Sequence, residues 1–180
     1  IDLVEPSSHP KVCKDIKYDF VAMVPLQAQN SLSDLKNVKK IIVGGAKINN
    51  KLKQGLSELK AEVYETYGMT ETITHIAAKP IKEEAFSLLA NIKISQDDRK
   101  CLVIDAPNIS KNTVVTNDLV SLVGEDKFIF LGRIDNAINS RGIKLIPEKI
   151  EDKLIEKIHS RFFVTGIPDN DLGEKLVLVI

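Results

Sequence analysis

KKIIVGGAKINNKLKQGLSELKAEVYETYGMTE, residues 39–71, is the stretch whose reading decides how this chain folds. KKIIVGG reads as a short buried strand running into a glycine loop. NNKLKQGLSELK follows with Leu52, Leu56 and Leu59 at spacings of four and three, the period of an amphipathic helix, and Asn49 or Asn50 is placed to cap it. AEVYE returns as a strand, so residues 41–65 form a β-α-β unit, the mark of an α/β layer. Upstream, YDFVAMVPL (18–26) is an apolar run that meets Pro25, which favours a turn or the first turn of a helix.

After the YGMTE corner the texture changes. ITHIA, NIKIS, KCLVID, TVVT, DLVSLV and KFIFLG are short β-rich runs separated by Asn, Asp, Gly and Pro, a spacing that predicts a small antiparallel sheet or barrel. The pattern changes again near residue 135. GIKLIPEKIEDKLIEKI holds a strand, then Pro147 where a first helical residue sits, then Ile150, Leu154 and Ile158 repeating every four residues. RFFVTGIP and EKLVLVI read as two more strands around a Pro168-Asp169-Asn170 turn. The expected fold class is mixed α/β (α+β), with a boundary at about Asp135 dividing residues 1–134 from 135–180.

Composition excludes several functions. With 43% hydrophobic residues in 180, a core can be buried. Lys plus Arg equals Asp plus Glu at 25 each, so charge gives no reason to expect nucleic acid or an anionic membrane as partner. No apolar run approaches the roughly 18 residues of a membrane span, and no signal peptide is visible. Cys13 and Cys101 lie far apart without metal-ligand spacing, which reads as two free thiols in a reducing, cytoplasmic setting. His9, His75 and His159 are scattered, with no second His or Cys at ligand spacing. The chain starts at Ile1 without a methionine and stops inside the apolar run KLVLVI, which suggests a piece of a longer protein.

Four short segments carry chemistry, each with a plainer alternative. The glycines of GGA (Gly44, Gly45, Ala46) would let a ligand approach backbone N–H groups, or serve a strand-to-helix turn; no G-x-G-x-x-G fingerprint accompanies them. In YGMTE, the Tyr67 ring can stack on a flat heterocycle and Gly68 allows a sharp bend. There the Thr70 hydroxyl can bond a phosphate oxygen, and Glu71 is a hard oxygen ligand suited to Mg²⁺. A turn with a solvated Thr-Glu pair is the alternative. Asp118 in VTNDLV can accept two hydrogen bonds from a ribose diol, or belong to an Asn-Asp turn before a strand. LGRIDNAINSRGIKLIPEKIE (131–151) packs Arg133, Asp135, Arg141 and Lys144 into one short segment, a set of phosphate or ribose donors or a charged connector. His75, four residues past Glu71, could line the same cleft or be an ordinary strand histidine. Neither a P-loop nor a G-x-S-x-G element is present.

Taken in order, these pieces resemble the adenylate-forming superfamily: acyl-CoA synthetases, luciferases and peptide-synthetase adenylation domains. GGA, YGMTE, TND and GRIDNAINSRGIKLIPEKIE match four of its successive motifs, and the likeness runs from roughly Phe20 to the end. Within the superfamily, MVPLQ, YGMTETITHIA, TNDLV and GRIDNAINSRGIKL are most similar to the o-succinylbenzoate–CoA ligases of menaquinone biosynthesis. The resemblance implies the C-terminal part of the large adenylate-forming domain, a β-α-β layer with a small β-barrel-like subdomain, followed by the start of the small mobile domain.

It also implies roles. Tyr67 would stack on adenine, Thr70 would touch phosphate, Glu71 would hold Mg²⁺, and Gly44 to Ala46 with Gly68 would line the nucleotide and acyl pocket. Asp118 would grip the ribose hydroxyls, with Arg133 bonding the ribose and nearby oxygens. Asp135 would be the hinge, Arg141 would sit beside the thioester-forming face, and His75 would border the acid. ATP, Mg²⁺, coenzyme A and a small carboxylic acid are the implied partners.

Four departures qualify this. The family's phosphate loop and C-terminal lysine have no counterpart in these 180 residues, the Gly-Glu element is not recognisable around 85–105, and Asn117 replaces the usual Gly before the ribose aspartate. The chain alone is therefore expected to be inactive, and its cut edges predict dimerisation or swapping. Two alternatives stay open: a ligase for another fatty or aryl acid, and a non-catalytic nucleotide-binding module.

Overall fold

The computed structural model describes residues 4–5, 7–13, 15–155 and 157–180, which fall into two compact units. One comprises the described residues up to Ile92 together with Ala106–Lys111; the other comprises Lys93–Asp105 and Asn112–Ile180. Among the described residues, no helix is long and apolar enough to cross a membrane.

The first unit is the α/β layer. Strands β1 (Tyr18–Met23), β2 (Val38–Val43) and β3 (Glu62–Gly68) run parallel, then β4 (His75–Pro80) and β5 (Phe86–Leu88) add antiparallel, in spatial order β1-β2-β3-β4-β5. Pro25 opens helix α1 (Pro25–Ser31), where its missing N–H costs nothing. Helix α2 (Asn50–Ser57) connects β2 to β3, and Asn49 is its cap, its side-chain oxygen accepting from the Leu52 amide at 2.8 Å. Leu52 and Leu56 face inward from α2 onto Ile41 and Val43 of β2, Val63 of β3 and Leu35, all buried in one cluster. Burying each such leucine is worth about 1.5–3 kcal/mol, which is what closes a helix of only eight residues onto the sheet.

The second unit is β-rich. Strands β6 (Lys93–Gln96), β7 (Cys101–Asp105), β8 (Val114–Leu122) and β9 (Lys127–Arg133) form an antiparallel sheet in order β9-β8-β7-β6. A second sheet has order β11-β10-β13-β12, from β10 (Ile138–Ser140), β11 (Ile143–Leu145), β12 (Phe163–Asp169) and β13 (Gly173–Val179). Helix α3 (Pro147–Leu154) starts beside β9, where a Cβ on Gly132 would lie 2.6 Å from Ile146 Cγ2.

Three local expectations change. TVVT and DLVSLV are one strand, β8, with Asn117 and Asp118 in its middle, because both side chains find polar partners there. Helix α3 ends at Leu154 and Ile158 follows it, although its amide still donates to the Leu154 carbonyl at 2.9 Å. Pro168 and Asp169 are the end of β12, an edge strand that tolerates proline, and Asp169 Oδ1 caps the turn by accepting from the amides of Asp171 and Leu172.

An ion pair that the sequence did not announce ties β3 to β4. Glu65 and Lys79 are directly opposite in register, their charged atoms are 3.1 Å apart, and their side chains are 15% and 11% exposed. The Lys79 ammonium also lies 4.5 Å from the centroid of the Phe86 ring. At this depth a charge left alone is the expensive state. Lys79→Ala should destabilise the first unit by about 3–5 kcal/mol, and the Glu65→Leu/Lys79→Met pair by clearly less, read from denaturant midpoints at constant m.

Candidate functional site

In the first unit, strands β2 and β3 are parallel, so their carboxyl ends lie at one edge of the sheet, the edge where α/β layers take ligands. Gly44 follows β2 and Gly68 closes β3. A Cβ on Gly44 would collide with Thr66 Oγ1, so the GGA loop is packed onto the strand that leads into YGMTE. Gly45 has φ +90°, a left-handed conformation that glycine adopts without strain. Gly68 is required by closeness: a Cβ there would lie 2.6 Å from the Thr74 carbonyl oxygen and 2.9 Å from His75 Cα. At this point the β3–β4 register slips between Tyr67 and Gly68, and β4 folds back beneath the corner.

Thr72 pins that corner. It is fully buried; its hydroxyl accepts from the Met69 amide at 3.1 Å and lies 3.0 and 2.9 Å from the Met69 and Thr74 carbonyl oxygens. The 3-10 turn Thr70–Thr72 that results holds Thr70 and Glu71 exposed on its outside. Ile73 comes next with φ +61° and 80% exposure, a strained conformation for a β-branched residue at a cost of order 1–3 kcal/mol. His75 opens β4 and is exposed. Tyr67 is half-buried, its ring 5.9 Å from that of Phe86 at 57°. The structure thus brings Gly44, Tyr67, Gly68, Thr70, Glu71 and His75 to one corner of one unit.

Asp118, Arg133, Asp135 and Arg141 all belong to the second unit. Asp118 on β8 pairs in register with Arg133 on β9; its side chain is buried, with Oδ1 at 3.6 Å from the Arg133 guanidinium. Arg133 also donates to Asp135 Oδ2 at 2.6 Å. Asn117 donates to Asp135 Oδ1 at 2.9 Å and accepts from Arg99 at 2.9 Å. Arg99, in the β6–β7 turn, in turn donates to Asp97 and to the Thr116 carbonyl. Arg141 stands apart from this network: with Gly142 it forms the tip of the β10–β11 hairpin, at φ +50° and +80°, and its own amide donates to the Leu172 carbonyl at 2.8 Å. A cavity of about 310 Å³ beside the 3-10 turn Ile134–Asn136 is lined by Glu148, Glu151 and Glu174, and takes in only Asp135 of the predicted residues.

Two carboxyls in the network are held below the ordinary aspartate value of 3.8. For Asp135 the main cause is the hydrogen bond from Arg133, joined by that from Asn117, against a smaller opposing effect of desolvation. For Asp97 desolvation is the largest influence and acts upward, but the Cys101 amide with the Arg99 guanidinium and amide together outweigh it. The buried Cys101 thiol is pushed up by desolvation and is unreactive packing.

Sequence reasoning missed Thr72 and Arg99. Thr72 sits in YGMTET as one more hydroxyl, and Arg99 in a DDRK turn that looks merely solvated. The partners of Thr72, Met69 and Thr74, are adjacent in sequence, but its burial comes from β4 folding back, and Arg99 reaches Thr116 and Asn117 across the sheet, so neither role shows in the local sequence.

No protein-family model matches the chain. Among curated proteins, the 2-succinylbenzoate–CoA ligase of Haemophilus influenzae is 25% identical over 194 residues, spanning 92% of this chain and 42% of that protein. Among solved structures, an AMP-forming acyl-CoA synthetase/AMP-acid ligase II-like protein from Dyadobacter fermentans is 37% identical with a TM-score of 0.68, over 97% of this chain and 54% of its own. In sequence and fold the chain is similar to AMP-forming acyl-CoA synthetases. A further adenylate-forming structure, the o-succinylbenzoate CoA synthetase of Bacillus subtilis in complex with the acyl-adenylate intermediate OSB-AMP, has a TM-score of 0.75 over 89% of this chain and 40% of its own. At 20% identity, that likeness is one of fold. The present chain thus spans about half, or less, of the length of these adenylate-forming relatives.

The depressed carboxyls fix a sign. A carboxyl whose acid constant is lowered by folding adds stability above its ordinary value, and that stability is lost as the pH falls through the lowered one. Asp97 and Asp135 should both titrate below 3.8 in a carboxyl ¹³C NMR titration, leaving the network whole at neutral pH. An Asp135 midpoint at or above that value would contradict the contacts with Arg133 and Asn117.

Proposed function

We propose that this chain is part of an AMP-forming acid–CoA ligase whose acid is o-succinylbenzoate. The observation that carries the proposal is the pinned corner, where Thr70 and Glu71 are held exposed beside the Gly44 loop at the carboxyl ends of parallel strands. It is supported by the identity shared with an AMP-forming synthetase-like protein and with a 2-succinylbenzoate–CoA ligase. The second support is the β8–β9 pair, which offers a carboxylate, Asp118, with a guanidinium alongside it.

In the reaction proposed, the acid's carboxylate attacks the α-phosphate of ATP, giving an acyl-adenylate and pyrophosphate. The thiol of coenzyme A then attacks the acyl carbon and AMP leaves. Tyr67 offers a ring face to adenine, and Thr70 a hydroxyl to phosphate. Asp118 accepts from the ribose hydroxyls, and the half-exposed Arg133 guanidinium donates to nearby oxygens. Among the described residues no group of three or more His, Cys, Asp or Glu could hold a metal. The exposed Glu71 fits Mg²⁺ arriving with the nucleotide, since Mg²⁺ takes one or two protein carboxylates and completes its shell with phosphate and water. When bound, it would offset the negative charge of the phosphates. Asp135 is taken as the pivot between the half-reactions, and Arg141 as a residue of the thioester-forming arrangement.

The deciding measurement is carboxylate-dependent ATP–pyrophosphate exchange by the full-length protein, with o-succinylbenzoate beside benzoate and medium-chain fatty acids. Exchange driven by o-succinylbenzoate alone is expected. Exchange with a different acid would keep the reaction and change the substrate, and ATP binding without exchange would favour a non-catalytic nucleotide-binding module. Glu71→Gln should lower exchange about a hundredfold, and Asp118→Asn should raise the KM for ATP about tenfold. Full activity in both variants would sink the site. Arg141→Ala should slow thioester formation from preformed acyl-adenylate more than it slows exchange; equal losses would remove Arg141 from that role.

A further inference from the structure

The Asn117 side chain hydrogen-bonds two charged groups, Arg99 and Asp135, at once. Its oxygen accepts from Arg99 Nη1 at 2.9 Å, and its nitrogen donates to Asp135 Oδ1 at 2.9 Å. The amide can face only one way, because a guanidinium has no acceptor and a carboxylate no donor. An aspartate at this position would keep the Arg99 contact but set carboxylate against carboxylate at Asp135. A lysine would face the Arg99 guanidinium, and a glycine would make neither link. A primary amide satisfies both ends.

The anchor end is rigid. Arg99 Nε donates to Asp97 Oδ2 at 2.8 Å and Nη2 to the Thr116 carbonyl at 3.0 Å, while Asp97 Oδ1 accepts from the amides of Arg99 and Cys101 at 2.9 Å each. The other end is slight. Asp135 lies in the single 3-10 turn Ile134–Asn136 that leads out of β9, closed by one backbone bond, Ala137 N–H to the Ile134 carbonyl at 3.1 Å. From β8 the turn is held by Asn117, and from its own strand by Arg133.

We propose that Asn117 is a positioning residue that clasps the Asp135 turn to the β6–β7 loop, so that the chain beyond β9 rotates about Asp135 only when the amide lets go. This rests on the reading of Asp135 as pivot. The strength of the link suits a device that must open. A hydrogen bond to a partly exposed charge biases an equilibrium about tenfold or less, so the clasp weights one arrangement without locking it.

The test compares Asn117→Gly, Asn117→Asp and Arg99→Ala with the parent sequence in the full-length protein, by two readouts. Hydrogen exchange of peptides covering residues 134–137 should rise about threefold or more in all three, with exchange across β8 and β9 unchanged. The ratio of thioester formation from preformed acyl-adenylate to ATP–pyrophosphate exchange should shift about threefold or more, in the same sense for all three. Unchanged exchange at 134–137 overturns the clasp. Raised exchange with an unmoved ratio also overturns the proposal, because the link would then be structural alone. If the parent sequence catalyses no pyrophosphate exchange with any acid, the ligase reading fails, and the hydrogen-exchange arm by itself decides the clasp.

Discussion

A methyl group on Gly68 would meet the Thr74 carbonyl oxygen at 2.6 Å, because the start of β4 folds back against the end of β3. The corner depends on that closeness. With β4 drawn in, Thr72 is buried and spends its hydroxyl on Met69 and Thr74, and the intervening turn has nowhere to put Thr70 and Glu71 except outward. Any side chain at residue 68 would push β4 away and release Thr72 from its partners. The Tyr-Gly pair is therefore a steric device first, and the outward placement of Thr70 and Glu71 relies on it. The strained Ile73 belongs to the same bargain: the chain accepts a left-handed isoleucine so that Thr72 and His75 can be reached in three residues.

The second unit is held by a different logic. Its middle strand carries Asn117 and Asp118 side by side, residues that weaken a strand when left to themselves. Here their polar atoms are matched by Arg99, Arg133 and Asp135, so the strand continues through them. Alternation of side chains along β8 sends neighbouring residues to opposite faces. One face gives Asp118 to Arg133 in the paired strand, and the other gives Asn117 to Arg99 and Asp135. The two sets of contacts, one residue apart, meet only at Arg133, which touches both Asp118 and Asp135.

Much of this was legible in the sequence, for reasons that differ by element. The β2-α2-β3 unit was readable because Leu52 and Leu56 must recur at helical spacing to reach Ile41 and Val63, and because Asn49 caps through a contact three residues away. Local causes leave local signals. The corner was readable as a motif but not as a mechanism: Gly68 is explained by Thr74 and His75, which a sequence does not show as neighbours. The mid-strand place of Asn117 and Asp118 was hidden, and a turn stayed open as an alternative, because their partners lie 18 or 15 residues away along the chain. Glu65 and Lys79 were invisible for the same reason, since pairing across an antiparallel register leaves no periodic trace. The end of α3 was overrun because Ile158 keeps the spacing of a helix that has already closed at Leu154.

The Glu65–Lys79 pair also gives this fold a temperature sense. Removing charged groups from water becomes less costly on warming, because their hydration carries a strongly negative entropy. Apolar burial, by contrast, loses strength on cooling. Both trends act in one direction on the joint between β3 and β4, where the shielded pair sits with Phe86 beside the buried Ile76 and Ala77. Chilling therefore weakens both of these contributions to the joint together.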